Sequence, residues 1–245
     1  MIPSQQIEVS PGRLLLVVMA RDEYSPSVRR VIDLPRPSWR GKMHKAMIPV
    51  AALGLIYLQI IAESSTARLV AFGYGLAGIG LYSASAAAHY KVWKATLLHK
   101  LFMLDQSMIM VYITSSTAVV AHSVGGAAGW ALFGGMALFA AVGIMTIWLP
   151  FHPPRGMMNT IFLVQGWWPI FFVGRIADSI GGAGLAVLLA GGAVFTVGAL
   201  IVGFQRPDPN PLVFGYHEIW HVFVILGTSV HFWLFTQLLA GNAPL

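Results

Sequence analysis

Apolar residues are gathered into seven runs, and polar residues lie between these runs and in the first forty-five positions. A helix needs roughly 20 apolar residues to cross the hydrocarbon core of a bilayer, and each run is close to that length. The pattern therefore predicts an all-α protein, a bundle of seven transmembrane helices. The predicted spans are 46–62, 68–89, 101–121, 127–149, 157–175, 181–203 and 216–239.

Composition strengthens the membrane assignment. Of 245 residues, 57% are hydrophobic and 10% are charged, whereas a soluble domain carries about 25% charged residues. No polar linker divides the runs, so we predict one seven-transmembrane domain over residues 46–245 and a cytoplasmic N-terminal segment over 1–45. The apolar run from Leu14 to Ala20 is too short to span a bilayer and precedes no convincing cleavage site, so no signal peptide is predicted.

The basic residues predict the orientation of this bundle. With seven spans, 13 of the 15 Lys and Arg residues fall in the N-terminal segment or in loops on its side of the membrane. The positive-inside rule then places the N-terminus in the cytoplasm and the C-terminus outside. The same distribution accounts for the net charge of +6, so we expect no nucleic-acid partner.

Two histidines at the start of the last span are candidates for metal binding. His217 and His221 are four residues apart, which places them on one helix face with Cβ atoms about 5–6 Å apart, a spacing suited to one zinc ion. The chain has no cysteine, so imidazole and carboxylate are the remaining candidate ligands. The predicted topology brings two further residues to the same leaflet: His89 at the inner end of span two and Asp105 near the inner start of span three.

Three imidazoles would leave the fourth position of a tetrahedral zinc site open, as in catalytic zinc centres. Asp105 could then accept a proton from water or orient it. Ser85, one turn before His89, could steer an imidazole or the water. Each residue also has a simpler interpretation. A histidine can form a hydrogen bond that helps two helices pack, Asp105 can be a charge at the membrane interface, and Ser85 can be a small packing side chain. Their convergence on one leaflet favours the metal site.

Other polar residues near the last span leave alternatives open. The segment His217-Glu-x-x-His221 also matches the zinc protease motif, in which Glu218 would be the general base. Glu218 is offset by about 100° from His217 on a helix and would otherwise face the cytoplasmic headgroups. His44, just before the first span, lies on the correct side to approach the site. His231 is ten residues beyond His221, roughly 15 Å along the helix, and is too distant to be a ligand.

These motifs resemble the hemolysin III and progestin/adipoQ receptor (adiponectin receptor-like) family over about residues 38–235. The resemblance implies a bacterial inner-membrane protein and a zinc ion held by His89, His217 and His221, with Asp105 and Ser85 as polar companions. The segments that carry the resemblance are Ser85-x-x-x-His89, Asp105, His217-x-x-x-His221, Arg40-Gly-x-x-His44, the run Gly215-Tyr-His-Glu-Ile-Trp-His221 and Val230-His-Phe-Trp233.

The resemblance also implies a function. Its eukaryotic receptor branch is associated with hydrolysis of lipid amides such as ceramide, and its bacterial branch carries a pore-forming label and a role in membrane-lipid homeostasis. We therefore predict a zinc-dependent, ceramidase-like hydrolase of membrane lipid amides or esters, with membrane lipids as partners. Two alternatives stay open: a sensor, receptor or pore-forming cytolysin with a structural zinc, and an intramembrane protease. We expect no long N-terminal receptor domain and therefore no hormone-receptor role. Glu218 also departs from the receptor pattern in the last motif.

Overall fold

The structure is a computed structural model that describes residues 37–149 and 157–242, and within these ranges it contains no β-strand. One isolated antiparallel bridge joins Asn210 to Phe214. A short 3-10 helix, Trp168–Phe172, lies between the fifth and sixth α-helices. The α-helices of the described residues are α1 (Lys42–Ile61), α2 (Ser65–Tyr90), α3 (Ala95–Val124), α4 (Gly126–Trp148), α5 (Met157–Trp167), α6 (Val173–Phe204) and α7 (Tyr216–Leu239).

Most helices overlap the predicted spans and four of them are longer, but α5 ends at Trp167 instead of residue 175 and α6 begins at Val173 instead of residue 181. The last helix has the predicted limits, whereas α1 begins at Lys42 instead of residue 46. An apolar run ends at its first charged residue, but the helix can continue because its backbone hydrogen bonds do not depend on side-chain polarity. Residues 1–36 and 150–156 lie outside the described ranges. The cytoplasmic placement of the basic residues in these ranges, and the limits of the domain, therefore remain predictions.

Six helical segments are long and apolar enough to cross a membrane. Helices α1, α2, α3, α4 and α7 are five of them, and the sixth is the 48-residue run Met157–Phe204, in which spans five and six were predicted. Helical geometry in this run is interrupted at Gly181, whose φ of 74° and ψ of 169° are accessible mainly to glycine. The interruption coincides with the predicted start of span six.

Helix α5 and the part of α6 that follows Gly181 lie side by side. The side-chain amide of Asn159 donates to the carbonyl of Ala199 at 3.0 Å. The indole Nε1 of Trp167 donates to the hydroxyl of Thr196 at 3.1 Å. Because both bonds join α5 to the second part of α6, the chain reverses direction between them.

Helix α3 is the central element of the bundle, since it contacts α2, α4, α5, α6 and α7. Helices α1 and α7 also contact each other, which closes the circle of helices. Large apolar side chains cover the outer surface, among them Ile60, Trp130 and Phe171, each more than 70% exposed. A water-soluble protein rarely exposes such a continuous apolar surface, so the bundle is suited to lipid as its solvent.

Paired hydroxyl groups join three helices inside the bundle. The hydroxyls of Tyr74 and Tyr112 are 2.9 Å apart and connect α2 with α3. The hydroxyls of Tyr82 and Thr228 are 2.6 Å apart and connect α2 with α7. A polar group in a membrane interior needs an internal partner, so these pairs favour one arrangement of α2, α3 and α7.

Glycines Gly184, Gly191 and Gly198 recur every seven residues in α6, a spacing that predicts close helix packing. The structure confirms this for two of them. A Cβ atom on Gly191 would overlap the imidazole of His231, and one on Gly198 would lie 2.7 Å from atoms of Trp220 and Phe223. Close contact between α6 and α7 therefore depends on the absence of side chains at these positions.

Gly191→Ala is expected to destabilise the protein because the added methyl group displaces the His231 ring, and overpacking of this kind costs about 1–3 kcal/mol. The neighbouring change Gly192→Ala is a matched control, since a Cβ atom there meets nothing within 4 Å. Thermal unfolding in detergent should show a lower midpoint for Gly191→Ala and an unchanged or higher midpoint for Gly192→Ala. Equal midpoints for both variants would contradict the packing role of Gly191.

Candidate metal centre

Three histidines from two helices meet at one end of the bundle. His89 is the penultimate residue of α2, and His217 and His221 lie in the first two turns of α7. One ring nitrogen from each of the three lies within 4.8 Å of the others. His89 and His221 are only 2% exposed. The structure thus brings together the three residues that the sequence proposes as ligands, in a cluster that can hold a metal ion.

One separation within this cluster matches that of two ligands on a tetrahedral zinc ion. Zinc–nitrogen bonds of about 2.0–2.1 Å at tetrahedral angles place two ligand nitrogens about 3.3–3.4 Å apart. The Nε2 atoms of His89 and His217 are 3.3 Å apart. The ring of His217 is inclined by 65° to that of His89 and by 61° to that of His221, with both centroid separations 4.6 Å. One pair of candidate ligand nitrogens therefore has the separation that a shared zinc ion would require.

Two further predicted site residues lie beside the cluster. Asp105, about three turns into α3, places its Oδ2 atom 3.3 Å from Nε2 of His89. Ser85 is buried one turn before His89 and lines the same cavity as Asp105 and the histidines. The carboxylate of Asp105 is thus next to the nitrogen that also faces His217, where it can accept a proton or orient a polar group.

His44, near the start of α1, contacts the cluster without belonging to it. Its ring stacks on that of His221 with centroids 3.9 Å apart and planes 11° apart, and it meets Tyr82 edge-on at 5.2 Å. Neither ring nitrogen makes a hydrogen bond of good geometry, although the backbone of His221 lies nearby. The sequence placed His44 on the correct side of the membrane, and the structure places it against one candidate ligand.

The expectation that Glu218 faces the headgroups is wrong, because its side chain is completely buried. Its Oε1 atom pairs with Nε of Arg40. Its Oε2 atom accepts a hydrogen bond from the backbone N–H of Gly215 at 3.0 Å, which caps α7. Both oxygens of Glu218 are therefore occupied. The sequence does contain a signal for this capping role of Glu218. Glycine is followed three residues later by glutamate, just before an apolar run.

A mostly apolar cavity of about 200 Å³ ends on the cluster. Its polar end contains His44, Ser85 and Asp105 together with the three clustered histidines. From there it extends along α3, α5, α6 and α7 to His231 and Phe235. His217 and His231 are separated by 14 residues, or about 21 Å of helix, so the cavity is long enough for an extended apolar chain.

His231 lies at the far end of this cavity, in agreement with its exclusion as a ligand. Its Nε2 atom is 3.0 Å from the carbonyl oxygen of Leu188 in α6, so this nitrogen carries the proton and donates to that oxygen. Sequence reasoning did not predict this contact, because it depends on the register of α6 against α7. The result is a polar contact between α6 and α7, two of the helices that line the cavity.

The fold and the cluster together define a class: a multi-pass helical membrane protein with a buried three-histidine site able to hold a metal ion. A sequence model of the haemolysin-III related family matches residues 32–232. The chain belongs to that family, which confirms the resemblance inferred from its motifs.

Several known proteins are similar over most of this chain. Hemolysin-3 of Bacillus cereus is 28% identical over 192 residues, which are 76% of this chain and 83% of that protein. Human monocyte to macrophage differentiation factor is 26% identical over 200 residues, 78% of this chain and 79% of that protein. The Hemolysin-3 homolog of Bacillus subtilis (strain 168) is 28% identical over 184 residues, 73% and 82% of the two chains.

Proposed function

We propose that the chain crosses a bacterial cell membrane seven times, with its N-terminus in the cytoplasm and its C-terminus outside. The 48 residues of Met157–Phe204 would extend about 72 Å as one helix, far more than the roughly 30 Å of a bilayer core. The break at Gly181 and the side-by-side contacts of the two parts support two crossings in this run. The distribution of Lys and Arg then supports the orientation.

The metal in this proposal is zinc, bound by His89, His217 and His221. Three neutral imidazoles with one further open position are the ligand set of catalytic zinc in several enzymes. Asp105 is not part of the three but lies 3.3 Å from Nε2 of His89. Only the three histidines form the group whose ligand atoms all lie within 4.8 Å of one another, which would leave one position for water, whereas a purely structural zinc is usually enclosed by four protein ligands.

The proposed reaction is hydrolysis of an amide or ester bond in a membrane lipid. The observation that carries it is the long apolar cavity whose polar end is the histidine cluster. An acyl chain in the cavity would be surrounded by apolar walls, and its carbonyl end would lie at the cluster. A soluble substrate would gain nothing from those walls, so the cavity favours a lipid.

In this reaction, residues of the chain would hold the lipid and transfer the proton. The apolar walls bind and orient the acyl chain and exclude water from all but its polar end. Asp105 accepts the proton lost by the attacking water and returns it to the leaving nitrogen or oxygen as the acyl bond breaks, and Ser85 holds a polar group in place beside His89. A zinc ion at the cluster would supply a Lewis acid that polarises the carbonyl group and acidifies water.

Metal analysis and lipid turnover test this function together. The purified protein in detergent should contain about one zinc per chain, and it should release fatty acid from an N-acyl sphingoid amide or a diacylglycerol ester. Chelation should stop the release, and zinc should restore it. Full zinc content with no release from either lipid would remove the hydrolase and leave a structural zinc in a non-enzymatic protein.

Two alternatives find less support in the described residues. A pore needs a continuous polar path, whereas the cavity beyond the cluster is lined mostly by apolar side chains. A zinc protease of the His-Glu-x-x-His type needs the glutamate to reach the water. Glu218 instead pairs with Arg40 and caps α7.

Glu218→Gln distinguishes the protease from the proposed hydrolase. Glutamine keeps one acceptor oxygen, so α7 should remain folded with one hydrogen bond fewer. At saturating zinc we expect lipid turnover to fall by much less than the roughly 10²–10⁴-fold attributable to a general base. Complete loss of turnover with zinc still bound would assign Glu218 the catalytic role instead. Initial rates of fatty acid release at saturating zinc provide the measurement.

A further inference from the structure

The residues just before and at the start of α1 contact every element that carries a candidate ligand. We call residues 38–44 the bridging segment. It contributes none of the three clustered histidines, and the proposed reaction assigns it no role. Its sequence includes the motif Arg40-Gly41-x-x-His44.

On one side the bridging segment is attached to the start of α7. The backbone N–H groups of Ser38 and Trp39 donate to the carbonyls of Leu212 and Val213 at 3.0 and 3.3 Å. The Trp39 ring meets Phe214 edge-on. These contacts hold the loop that leads into α7 against the bridging segment.

Arg40 extends this attachment into the first turn of α7. Its Nε atom pairs with Oε1 of the completely buried Glu218, whose other oxygen accepts from the N–H of Gly215. Glu218 is the residue after His217 and precedes His221 by three positions. A displacement of Glu218 would therefore move the first turn of α7 and both histidines with it.

On its other side the bridging segment touches the end of α2. Gly41 has a φ of +74°, and a Cβ atom there would lie 2.7 Å from the backbone N of Tyr90 and 2.8 Å from the carbonyl C of His89. Both the left-handed backbone and the close approach require glycine. The ammonium group of Lys45, one residue beyond the segment, lies 4.0 Å from the centre of the Tyr90 ring, a cation–π contact at the same place.

His44 completes the bridge, because its ring stacks on that of His221. The buried ring of His44 limits rotation of the His221 imidazole. The seven residues of the bridging segment thus supply a backbone contact at His89, a side-chain pair beside His217 and a ring stack on His221.

We propose that the bridging segment is the positioning element of the metal centre: it fixes the end of α2 relative to the start of α7. Arg40, Gly41 and His44 are positioning residues that act through Glu218, the His89 backbone and the His221 ring. Ligands held in place by surrounding contacts bind metal more tightly than ligands that must be ordered on binding. The inference rests on the proposed zinc site but not on the proposed lipid reaction.

The first test measures zinc affinity of the full-length protein in detergent by competition with a chelator. Loss of an outer partner of a metal site typically weakens binding about 10–100-fold, and we expect that range for Arg40→Gln and Gly41→Ala. The exposed Lys42 provides a matched control, because Lys42→Gln also removes one positive charge but should leave the affinity unchanged. Arg40→Lys should be intermediate, since an ammonium group keeps the charge but not the guanidinium geometry.

The second measurement separates positioning from general loss of stability. The visible spectrum of the Co²⁺-substituted protein reports the coordination geometry and should change in Arg40→Gln but not in Lys42→Gln. If Arg40 acts through Glu218, the double variant Arg40→Gln/Glu218→Gln should bind zinc about as weakly as the worse single variant. Wild-type affinity and spectrum in Arg40→Gln and Arg40→Lys would overturn the inference, and so would additive losses in the double variant.

These outcomes are distinct from those for the proposed function. A wild-type protein that binds zinc but releases no fatty acid contradicts the hydrolase alone. A wild-type protein that hydrolyses lipid while the Arg40 variants bind zinc normally contradicts the positioning role alone. A wild-type protein without affinity for zinc overturns both.

Discussion

His221→Ala is expected to abolish stable zinc binding. The change removes one of three imidazoles whose ring nitrogens lie within 4.8 Å of one another, and the two that remain come from different helices. Loss of an outer partner alone typically weakens a metal site about 10–100-fold, so loss of a ligand should weaken it further. Zinc content after purification and chelator competition measure the effect, and any lipid turnover should disappear with the metal.

His122→Ala is the matched control for this experiment. His122 lies in the last turn of α3, 17 residues beyond Asp105 and therefore about 26 Å along the helix from the histidine cluster. The control should retain wild-type zinc content and turnover. Equal zinc content in His221→Ala and the wild-type protein would show that His221 is not a ligand and would remove the three-histidine centre.

Asp105→Asn is expected to reduce lipid turnover by about 10²–10⁴-fold, the usual contribution of a general base, while zinc stays bound. Asparagine has nearly the same size and can still form a hydrogen bond, but it cannot take up the proton that the carboxylate accepts in the proposed reaction. Because Asp105 is not one of the three clustered histidines, the metal content should change little. Initial rates of fatty acid release at saturating zinc, together with metal analysis of the same sample, provide the measurement.

Asp178→Asn controls for the loss of a carboxylate as such, since Asp178 is exposed on α6 and lies outside the residues that line the cavity. It should leave turnover unchanged. Unchanged turnover in Asp105→Asn would exclude Asp105 from the reaction. Loss of zinc from Asp105→Asn would instead identify the carboxylate as a metal ligand.

Helix positions were largely predictable because apolar runs of bilayer length have few alternatives in lipid. The limits of α7 agree with the prediction at both ends. Spans five and six were less clear, because the 3-10 helix Trp168–Phe172 and the break at Gly181 lie within one continuous apolar run. Hydropathy records the polarity of side chains and does not record where the backbone leaves helical geometry.

The convergence of His89, Asp105, His217 and His221 was also predictable, since alternating helix directions place them at the same end of the bundle. The role of Glu218 was not. Its position next to His217 suggested either a catalytic base or an interfacial charge, and its partner Arg40 is 178 residues away in the chain. A long-range pair of this kind leaves no periodic signal in the sequence.

The sequence by itself determined that this is an all-helical membrane protein with histidines and an aspartate at one end, because bilayer thickness and helix periodicity are local constraints on the chain. Only the tertiary structure decided how those side chains meet: the 3.3 Å separation of His89 and His217, the stacking of His44 on His221 and the pairing of Arg40 with Glu218. These distances depend on the rotation and register of packed helices. Many weak contacts between distant residues set that rotation and register together, and no short segment of the chain specifies them.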